Sequence, residues 1–394
     1  MHTTLPRRFY TDPDFYRAEV DRFFFTRWIC AGRADQIPRA GDYFTRTLGD
    51  ESLIITRDGS GALHALFNVC RHRGTRLCEQ PEGHFVDRIQ CPYHNWTYDL
   101  EGRLLAAPHM APGFCKDEYP LHRAGCEVWD GHVFIHLGSA LAALPAGPDA
   151  ALKGPRYTDE PPAPPALPGP PALPALPALS EQLKGLPERF AAWQMGDLRL
   201  GRRIVYDVKA NWKLIVLNYN ECLHCPNLHP ALHKLHHYLG ADNHAPTACY
   251  CGGAMGFRDG VETMSMDGTR RRDYLPGLNE AQRHQVVYYT IYPNLLLSLH
   301  PDYVMTHTLW PRAHDRTEIV CEWHFHPREL ARPDFQADDA VEFWDRTNRE
   351  DWWISEQSQA GINSRVYQPG PYSDREELLW SFDEIVRREA ERQT

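Results

Sequence analysis

Two pairs of cysteine and histidine residues lie close together in the first third of the chain. Cys70 and His72 form the first pair, and Cys91 and His94 form the second, with residues 73–90 between them. Two thiolates and two imidazoles at this spacing suit a [2Fe–2S] cluster with sulfur ligands on one iron and nitrogen ligands on the other. Because imidazole ligation raises the reduction potential, such a cluster can pass single electrons to an oxygen-activating site.

Zinc is the alternative metal for these pairs, because cysteine and histidine at such spacings also bind zinc. The surrounding residues favour the cluster. Arg71, Arg73 and Gly74 predict a tight, donor-rich loop, and hydrogen-bond donors near the sulfurs tune the potential of a cluster. Trp96 follows the second pair and supplies a bulky shield. We therefore expect an iron–sulfur cluster rather than zinc.

A second group of possible metal ligands lies downstream, as Glu221-x2-His224-x4-His229 followed by Asp351. An α-helix turns about 100° per residue, so two histidines at this spacing on one straight helix would point about 140° apart. Pro226 lies between them and should break the helix, which lets the imidazoles converge. Two histidines and one carboxylate form the facial triad of non-haem Fe(II) oxygenases, which leaves positions open for O2. In a chain with 21 histidines the pattern alone is weak evidence, but its occurrence beside a cluster motif strengthens the iron interpretation.

The overall composition indicates a globular enzyme rather than a nucleic-acid or membrane protein. At 394 residues the chain is long enough for two domains, and a net charge of −10 argues against nucleic-acid binding, which needs clustered positive charge. The longest apolar stretch, near Val133–Leu144, is too short to span a bilayer. Residues 1–8 lack the apolar run of a secretory signal, so we expect a cytoplasmic protein.

Eleven cysteines could suggest a disulfide framework, but a chain of this size does not need one, and the cytoplasm keeps thiols reduced. Cys222 and Cys225 stand out because they flank His224. Cys249 and Cys251 form a bare pair without a histidine partner nearby, which indicates ordinary packing or surface thiols.

Patterning divides the first part of the chain into a helical segment and a small β domain. Residues 1–34 contain the helix-starting pair Asp12-Pro13 and helically spaced aromatic residues, and should pack on the second domain. Residues 35–140 contain short strand-like runs separated by Gly-Asp and Asp-Gly turns. This region holds both Cys-His pairs, so we expect a small antiparallel β domain with the ligand loops at one end.

Residues 141–190 are predicted to form a proline-rich linker or insertion. The run Pro161–Pro165 and the following Pro-Ala-Leu repeats are of low complexity. The fixed φ and missing N–H of proline exclude a central strand or helix. A polyproline spacer is the simpler interpretation, and a PxxP ligand for a partner protein is the alternative.

Residues 191–394 are predicted to form an α+β domain. Helices are expected over Trp212–His224 and Ala340–Ala360, and a capping box at Ser373 and Glu376 should begin a C-terminal helix. The strand candidates are Val286–Tyr292, Asn294–Leu299, Tyr303–Trp310 and Thr317–His324. Strands flanked by long helices indicate a curved antiparallel sheet covered by helices.

The chain resembles the oxygenase α subunits of the Rieske non-haem iron oxygenases, the ring-hydroxylating oxygenase family, over nearly its whole length apart from the proline-rich segment. The matching stretches are Cys70–Gly74, Cys91–Trp96, Asn211–Lys213, Asn218–His229 and Glu350–Asp351 with Gln359. The resemblance implies a Rieske [2Fe–2S] domain followed by a helix-grip, START-like catalytic domain.

The same resemblance implies that Fe(II) is bound by His224, His229 and Asp351, with O2 as a co-substrate. It implies that Glu221 is the electron bridge and reaches His94 of a neighbouring copy. A homotrimer follows, because the two metals of one chain would lie too far apart. The resemblance also implies a separate flavin and iron–sulfur reductase that takes electrons from NAD(P)H.

Glu221 narrows the resemblance within the family. Ring-hydroxylating dioxygenases usually carry aspartate at the bridge, whereas glutamate in a Glu-Cys-x-His-Cys context resembles the subgroup that oxidises carnitine, choline, glycine betaine and stachydrine. This implies N-methyl hydroxylation of a small quaternary ammonium or betaine-like substrate, followed by loss of formaldehyde. The alternatives are an aromatic acid dioxygenase or O-demethylase and, in another class, a Rieske electron-transfer protein with a ligand-binding domain.

A quaternary ammonium group cannot donate a hydrogen bond, so its recognition must use the faces of aromatic rings. Aromatic residues on the strands of the second domain are candidates, although aromatic residues on strands more often belong to the core. The candidate pocket residues are Tyr288, Tyr292, Tyr303, Trp310 and Trp323.

Overall fold

Two antiparallel β domains and a set of helices make up the described part of the chain, which confirms the predicted α+β class. The structure is a computed structural model that describes residues 2–138 and 177–391. Residues 141–176 of the predicted proline-rich linker lie outside the described residues. The predicted domain limits at residues 140 and 394, which lie outside the described residues, stay predictions.

The N-terminal segment consists of two short helices and a π-helical turn. These elements are α1 (Arg8–Thr11), α2 (Pro13–Glu19) and the turn Val20–Phe24. Asp12 caps α2, because its carboxylate accepts hydrogen bonds from the N–H groups of Asp14 and Phe15. The buried carboxylate of Glu19 accepts from the ammonium group of Lys213 at 2.8 Å. This buried ion pair ties the segment to the second domain.

The first β domain contains two antiparallel sheets. Its strands are β1 (Ile29–Arg33), β2 (Asp42–Leu48), β3 (Glu51–Arg57), β4 (Leu63–Phe67), β5 (Glu82–His84), β6 (Arg88–Gln90), β7 (Thr97–Asp99), β8 (Leu104–Ala106), β9 (Arg123–Trp129) and β10 (His132–His136). The larger sheet has the order β1-β10-β9-β4-β3-β2-β5, and the smaller has the order β6-β7-β8. Cys70 and His72 follow β4, and Cys91 and His94 connect β6 to β7, so the first domain carries both ligand loops.

The prediction of a helical segment over residues 1–34 is wrong for its last part. Residues 29–33 form β1, in which Ile29 lies opposite Ile135 and Arg33 lies opposite His132. Every residue of β1 is buried. A short apolar run of this kind does not distinguish a strand from a buried helix by periodicity, and pairing with β10 decides the outcome.

The second β domain is built on one antiparallel sheet of seven strands, in the order β11-β17-β16-β15-β14-β13-β12. The strands are β11 (Arg199–Val208), β12 (His236–His244), β13 (Tyr250–Phe257), β14 (Gln285–Ile291), β15 (Leu295–Leu299), β16 (Val304–Ala313) and β17 (Arg316–Phe325). Every residue of the central strand β15 is buried, which explains its continuous apolar sequence. The sheet is therefore covered on both faces.

Helices cover this sheet and complete the second domain. They are α3 (Leu179–Gln182), α4 (Leu186–Phe190), α5 (Trp212–Tyr219), α6 (Cys225–Leu228), α7 (Pro230–His233), α8 (Glu280–Arg283), α9 (Pro327–Leu330), α10 (Asp338–Ile362) and α11 (Glu377–Glu391). The helices α3 and α4 correct the prediction that the linker extends to residue 190. Leu179, Leu183 and Leu186 are buried in one core with residues of β14 and β15, so this segment packs on the sheet instead of forming a spacer.

Buried side-chain amides join the two domains. The amide of Asn294, between β14 and β15, accepts from the backbone N–H of Cys30 at 2.8 Å and donates to its carbonyl at 2.9 Å. Gln182 makes the same pair of bonds to the backbone of Trp28, at 2.9 and 2.7 Å. Each side-chain amide thus bonds both the N–H and the carbonyl of one residue, as the backbone of a neighbouring strand would. Within the described ranges, no helix is long and apolar enough to cross a membrane.

Candidate metal centres and substrate cavity

The two cluster loops have the same backbone design. The Cys70 N–H donates to the Thr75 carbonyl at 2.8 Å, and the Cys91 N–H donates to the Trp96 carbonyl at 2.8 Å. The fourth residue after each cysteine, Gly74 or Asn95, donates its own N–H back to the carbonyl of that cysteine. Both of these residues have positive φ, which glycine and asparagine tolerate. Each loop is therefore closed so that its cysteine and histidine face the same space.

The four predicted cluster ligands meet between these loops. Cys70 and Cys91 are buried free thiols, and the ring centroids of His72 and His94 are 4.6 Å apart. Trp96 stacks on His72 at 4.8 Å, with 6° between the planes, as the predicted shield. The Nδ1 atom of His72 is buried without a hydrogen-bond partner among the described residues. Two thiols, two imidazoles and an unpartnered ring nitrogen fit a [2Fe–2S] cluster.

The predicted iron ligands converge from two separate parts of the second domain. His224 and His229 lie at the two ends of α6, and Asp351 lies in the middle of the long helix α10. One ligand atom from each of the three lies within 4.8 Å of the others. The carboxylate of Asp351 is 2.8 Å from His229 Nε2 and 3.5 Å from His224 Nε2. The three side chains can therefore share one metal ion.

The backbone between Trp212 and His229 differs from the prediction of one helix broken at Pro226. The helix expected over residues 212–224 ends at Tyr219, before Glu221 is reached. Pro226 does not break that helix, because it lies in the first turn of the next one, α6. A proline in the first helical turn lacks only an N–H that would have no partner there. Two helices separated by a turn therefore replace the single broken helix.

Each candidate iron-binding imidazole also contacts a glutamate. His224 Nδ1 lies 2.5 Å from Glu221, and His229 Nδ1 lies 2.7 Å from Glu350. In both cases the opposite nitrogen, Nε2, faces Asp351. Carboxylates at Nδ1 orient metal-binding histidines and raise their basicity. Glu221 is also held by the backbone N–H of Leu223.

The electrostatics of this site favour a cation. Burial lowers the pKa of His224, but Asp351 and Glu221 raise it more, to about 10. Burial acts in the same direction on His229, and Asp351 and Glu350 again outweigh it, so the pKa of His229 is raised. Burial raises the pKa of Asp351, yet the two imidazoles hold it below the usual range. Three carboxylates around two imidazoles form a negative site that suits a divalent ion.

A cavity of about 230 Å³ opens onto the three candidate iron ligands. Its aromatic lining includes Tyr219, Tyr288 and Trp344. The rings of Tyr219 and Tyr288 are 6.0 Å apart and nearly perpendicular, and those of Tyr288 and Trp344 are 6.3 Å apart. This aromatic cluster places three rings in the wall of the cavity that the candidate iron ligands also line.

Only Tyr288 of the five predicted pocket residues lies in the lining of this cavity. The prediction is wrong for the other four, which are fully buried in the main core and contact packed side chains instead. They are Tyr292, Tyr303, Trp310 and Trp323.

Tyr219 and Trp344 were not among the predicted pocket residues, although the sequence carries a signal for each. Tyr219 lies two residues before Glu221. Trp344 lies two helical turns before Asp351 on α10, so both project from the same face. Closeness in sequence to a candidate ligand, or to its face of a helix, is thus a better guide to this cavity than position on a strand.

The cysteines near His224 differ from the expectation of reduced thiols. Cys222 and Cys225 form a disulfide. The other cysteines, including Cys249 and Cys251, are free, as expected.

Comparison with known protein families decides what these two centres belong to. Residues 195–391 match the ring hydroxylating alpha subunit (catalytic domain) family, and residues 27–125 match the Rieske [2Fe-2S] domain. The chain belongs to the ring-hydroxylating oxygenase α subunits. It is a Rieske non-haem iron oxygenase, with a [2Fe–2S] cluster in the first domain and non-haem iron in the second. The predicted family, fold and cofactors are confirmed.

Several oxygenases that act on quaternary ammonium compounds are similar to this chain. The glycine betaine monooxygenase oxygenase subunit of Pseudomonas aeruginosa (strain UCBPP-PA14) is 29% identical over 94% of this chain and 85% of its own length. The carnitine monooxygenase oxygenase subunit of Escherichia coli (strain K12) is 33% identical over 58% of this chain and 52% of its own. The chloroplastic choline monooxygenase of Arabidopsis thaliana is 27% identical over 96% and 81%.

Solved structures share the fold across the whole chain. The quaternary ammonium Rieske monooxygenase CntA in complex with L-carnitine has a TM-score of 0.73 at 23% identity, covering 99% of this chain and 96% of CntA. Naphthalene 1,2-dioxygenase from Rhodococcus sp. has a TM-score of 0.71 at 18% identity, covering 99% and 95%. At such identities the likeness establishes the fold but does not identify the substrate.

Proposed function

We propose that this oxygenase is the terminal component of a system that hydroxylates an N-methyl carbon of a small quaternary ammonium or betaine-like compound. The observation that carries the proposal is the aromatic cluster of Tyr219, Tyr288 and Trp344 in the cavity of the candidate iron ligands. The names of the similar curated oxygenases support the same substrate class. Electrons would come from a separate flavin and iron–sulfur reductase that oxidises NAD(P)H.

The ligand sets follow from the geometry of the two centres. Cys70, Cys91, His72 and His94 would hold the cluster. The mononuclear Fe(II) would be held by His224, His229 and Asp351. When bound, the two groups supply single-electron transfer and activation of O2.

The aromatic cluster suits a cation that has no N–H group. A trimethylammonium group spreads its charge over its methyl groups, so ring faces stabilise it through cation–π contacts. The carboxylates of Asp351 and Glu221 add negative potential to the same cavity. Such a cavity would hold the cationic end of the substrate beside the candidate iron ligands, where an N-methyl carbon must lie to be oxidised.

The mouth of the cavity favours a substrate that also carries a negative charge. If the cationic end lies beside the iron ligands, the other end of a betaine points outward. Arg375 is the one lysine or arginine among the described residues that line the cavity, and it is exposed. Asp374 and Glu377 lie beside it and would attract the cationic end during entry. Arg375 would then pair with the substrate carboxylate.

The expected chemistry releases formaldehyde. Hydroxylation of an N-methyl carbon gives a hemiaminal, whose C–N bond breaks to leave a demethylated amine and formaldehyde. Glu221 contacts His224 and would form the bridge along which electrons arrive from His94 of a neighbouring copy. A bridge between copies requires an oligomer, and we propose a cytoplasmic homotrimer.

An assay with a panel of methylated compounds tests the proposal. The purified oxygenase is supplied with a matching reductase, NADH and glycine betaine, stachydrine, carnitine or choline, and formaldehyde and O2 consumption are measured. We expect formaldehyde with at least one of these compounds and about three irons per chain. Formaldehyde from aromatic methyl ethers alone would instead support an aromatic O-demethylase. Two irons per chain without any turnover would support an electron-transfer protein.

A further inference from the structure

The disulfide between Cys222 and Cys225 lies in the wall of the cavity that contains the candidate iron ligands. The Cα atoms of the two cysteines are 5.0 Å apart, which is within the usual range for bonded cysteines. Cys225 is buried, whereas Cys222 is partly exposed. All nine other cysteines are free, so disulfide formation is confined to this site.

The disulfide closes the segment that presents a candidate iron ligand. His224 lies between the two cysteines, and Glu221, which contacts His224 Nδ1, directly precedes Cys222. Joining the ends of a four-residue segment removes many of the conformations that it could otherwise adopt. The bond therefore restricts the directions in which the imidazole of His224 can point.

We propose that Cys222 and Cys225 are a reversible redox site, and that their disulfide holds His224 in the iron-binding position. This inference rests on the proposed function, because it takes His224 as an iron ligand. Disulfides in a reducing compartment are usually transient and respond to redox conditions. The consequence is that the oxidised protein retains its mononuclear Fe(II) longer than the reduced protein does.

Hydrogen peroxide is the oxidant that suits this site. An oxygenase releases peroxide when O2 accepts two electrons and two protons without oxidation of the substrate. One cysteine sulfur attacks peroxide, the O–O bond breaks, and a sulfenic acid and one water form. The second sulfur then attacks the first and displaces the other oxygen as water. Two thiols and one peroxide thus yield one disulfide and two waters, and a dithiol reductant reverses the reaction by exchange.

The inference is tested on the holoenzyme by counting thiols and by measuring iron release. One sample is treated with a dithiol reductant and another with a small excess of hydrogen peroxide, and both are freed of reagent. Alkylation followed by peptide mass spectrometry reports the state of Cys222 and Cys225. Ascorbate then returns any ferric iron in both samples to Fe(II) without reducing the disulfide. A ferrous chelator draws out the mononuclear iron, while the visible absorption of the cluster shows that the cluster is intact.

We expect peroxide to join the two cysteines and to slow iron release about tenfold, on the scale expected for closing a short loop. A Cys222→Ser/Cys225→Ser variant should release iron at the faster rate after either treatment. A Cys115→Ser/Cys249→Ser variant, which removes two free cysteines elsewhere, should behave like the wild type. If the first variant does not fold, the two wild-type samples still decide the question.

Free thiols at both positions after peroxide, or equal iron release from the two wild-type samples, would overturn the inference. Failure of the proposed function looks different. In that case none of the methylated compounds yields formaldehyde, while the thiol count and the iron release of the wild type still show whether the disulfide forms and holds the iron.

Discussion

Glu350 and His229 form a carboxylate–imidazole pair in which Glu350 Oε2 lies 2.7 Å from His229 Nδ1. The neighbouring residue, Asp351, approaches the other nitrogen of the same ring at 2.8 Å. Two consecutive residues of α10 therefore reach opposite sides of one imidazole. Asp351 is a candidate iron ligand, whereas Glu350 acts through His229 and is a positioning residue.

Replacement of Glu350 by glutamine should weaken iron binding without disturbing the cluster. The amide can still accept the Nδ1 hydrogen, but it lacks the charge that raises the basicity of the ring, and losses of this kind cost about 10- to 100-fold in metal affinity. Iron content after dialysis against a chelator measures the effect. Glu356→Gln is the matched control, because Glu356 lies on the same helix and accepts from the backbone of Lys209. Equal iron loss in both variants would contradict a role for Glu350.

Replacement of Glu221 by alanine should leave the spectrum of the cluster intact and abolish turnover. The change removes none of the four cluster ligands, so the cluster still forms, whereas His224 loses the carboxylate that contacts its Nδ1. Electron paramagnetic resonance reports the cluster, and a single-turnover reaction with prereduced protein reports electron delivery. The iron content must be measured beside it, to separate lost electron transfer from lost metal. Normal turnover would remove Glu221 from the electron path.

Loss of a ring from the aromatic cluster should weaken binding of the cationic end of the substrate. Tyr288→Leu removes a ring face, and a cation–π contact in a desolvated cavity contributes about 2 kcal/mol, so we expect an affinity loss of about 30-fold. Tyr288→Phe keeps the ring and should retain most of the affinity. Calorimetry with glycine betaine measures both variants. Similar losses in the two variants would mean that the hydroxyl group, rather than the ring face, recognises the substrate.

Arg375→Met should discriminate between charged forms of the substrate. At an exposed site an ion pair contributes about 0.2–1 kcal/mol, so glycine betaine should bind about 1.4- to fivefold more weakly. Choline, which has no carboxylate, should bind unchanged or slightly better. Arg365→Met is the control, because Arg365 is also exposed but does not line the cavity. Parallel changes for the two ligands would exclude a carboxylate contact at Arg375.

The buried carboxyl of Asp383 on α11 should make stability depend on pH. Burial raises its pKa to about 7, although the hydroxyl of Tyr372 donates to it at 2.7 Å. In the folded state the Asp383 carboxyl therefore stays protonated at pH values at which it is ionised in the unfolded state. Its stabilising effect is complete below the ordinary carboxyl pKa and decreases as pH rises through about 7. Denaturation midpoints at pH 5 and pH 8 should differ more in the wild type than in Asp383→Asn.

The metal sites could be predicted from the sequence because ligand chemistry is local. Cysteine and histidine at fixed short spacings restrict the metal, and the loops that hold Cys70 and Cys91 need only a few residues to close. Asp351 could be proposed as the third ligand, but its approach to His229 could not be predicted, because that approach depends on how α10 lies across the sheet. Which residues line the cavity depends on the same packing. Prediction from position on a strand was therefore right for Tyr288 but wrong for Trp310, which lies in the core.

Local signals also misplaced some boundaries. The run Ile29–Arg33 is apolar in a way that suits either a strand or a buried helix, and only its pairing with β10 separates the two. Leu179–Phe190 follows a proline-rich stretch and looks like its continuation, yet its leucines are spaced to fill the core. In each case a distant partner, absent from any local window, determines the structure.

The double hydrogen bond between Asn294 and the backbone of Cys30 has a consequence for kinetics. It fastens the β1 edge of the first sheet to the turn between β14 and β15 through bonds that are shielded from water. Movement of the first domain relative to the second during each catalytic cycle would have to break these bonds. We therefore expect the tunnelling distance between cofactors to be set once, when the subunits assemble, and the rate of electron arrival to be insensitive to solvent viscosity.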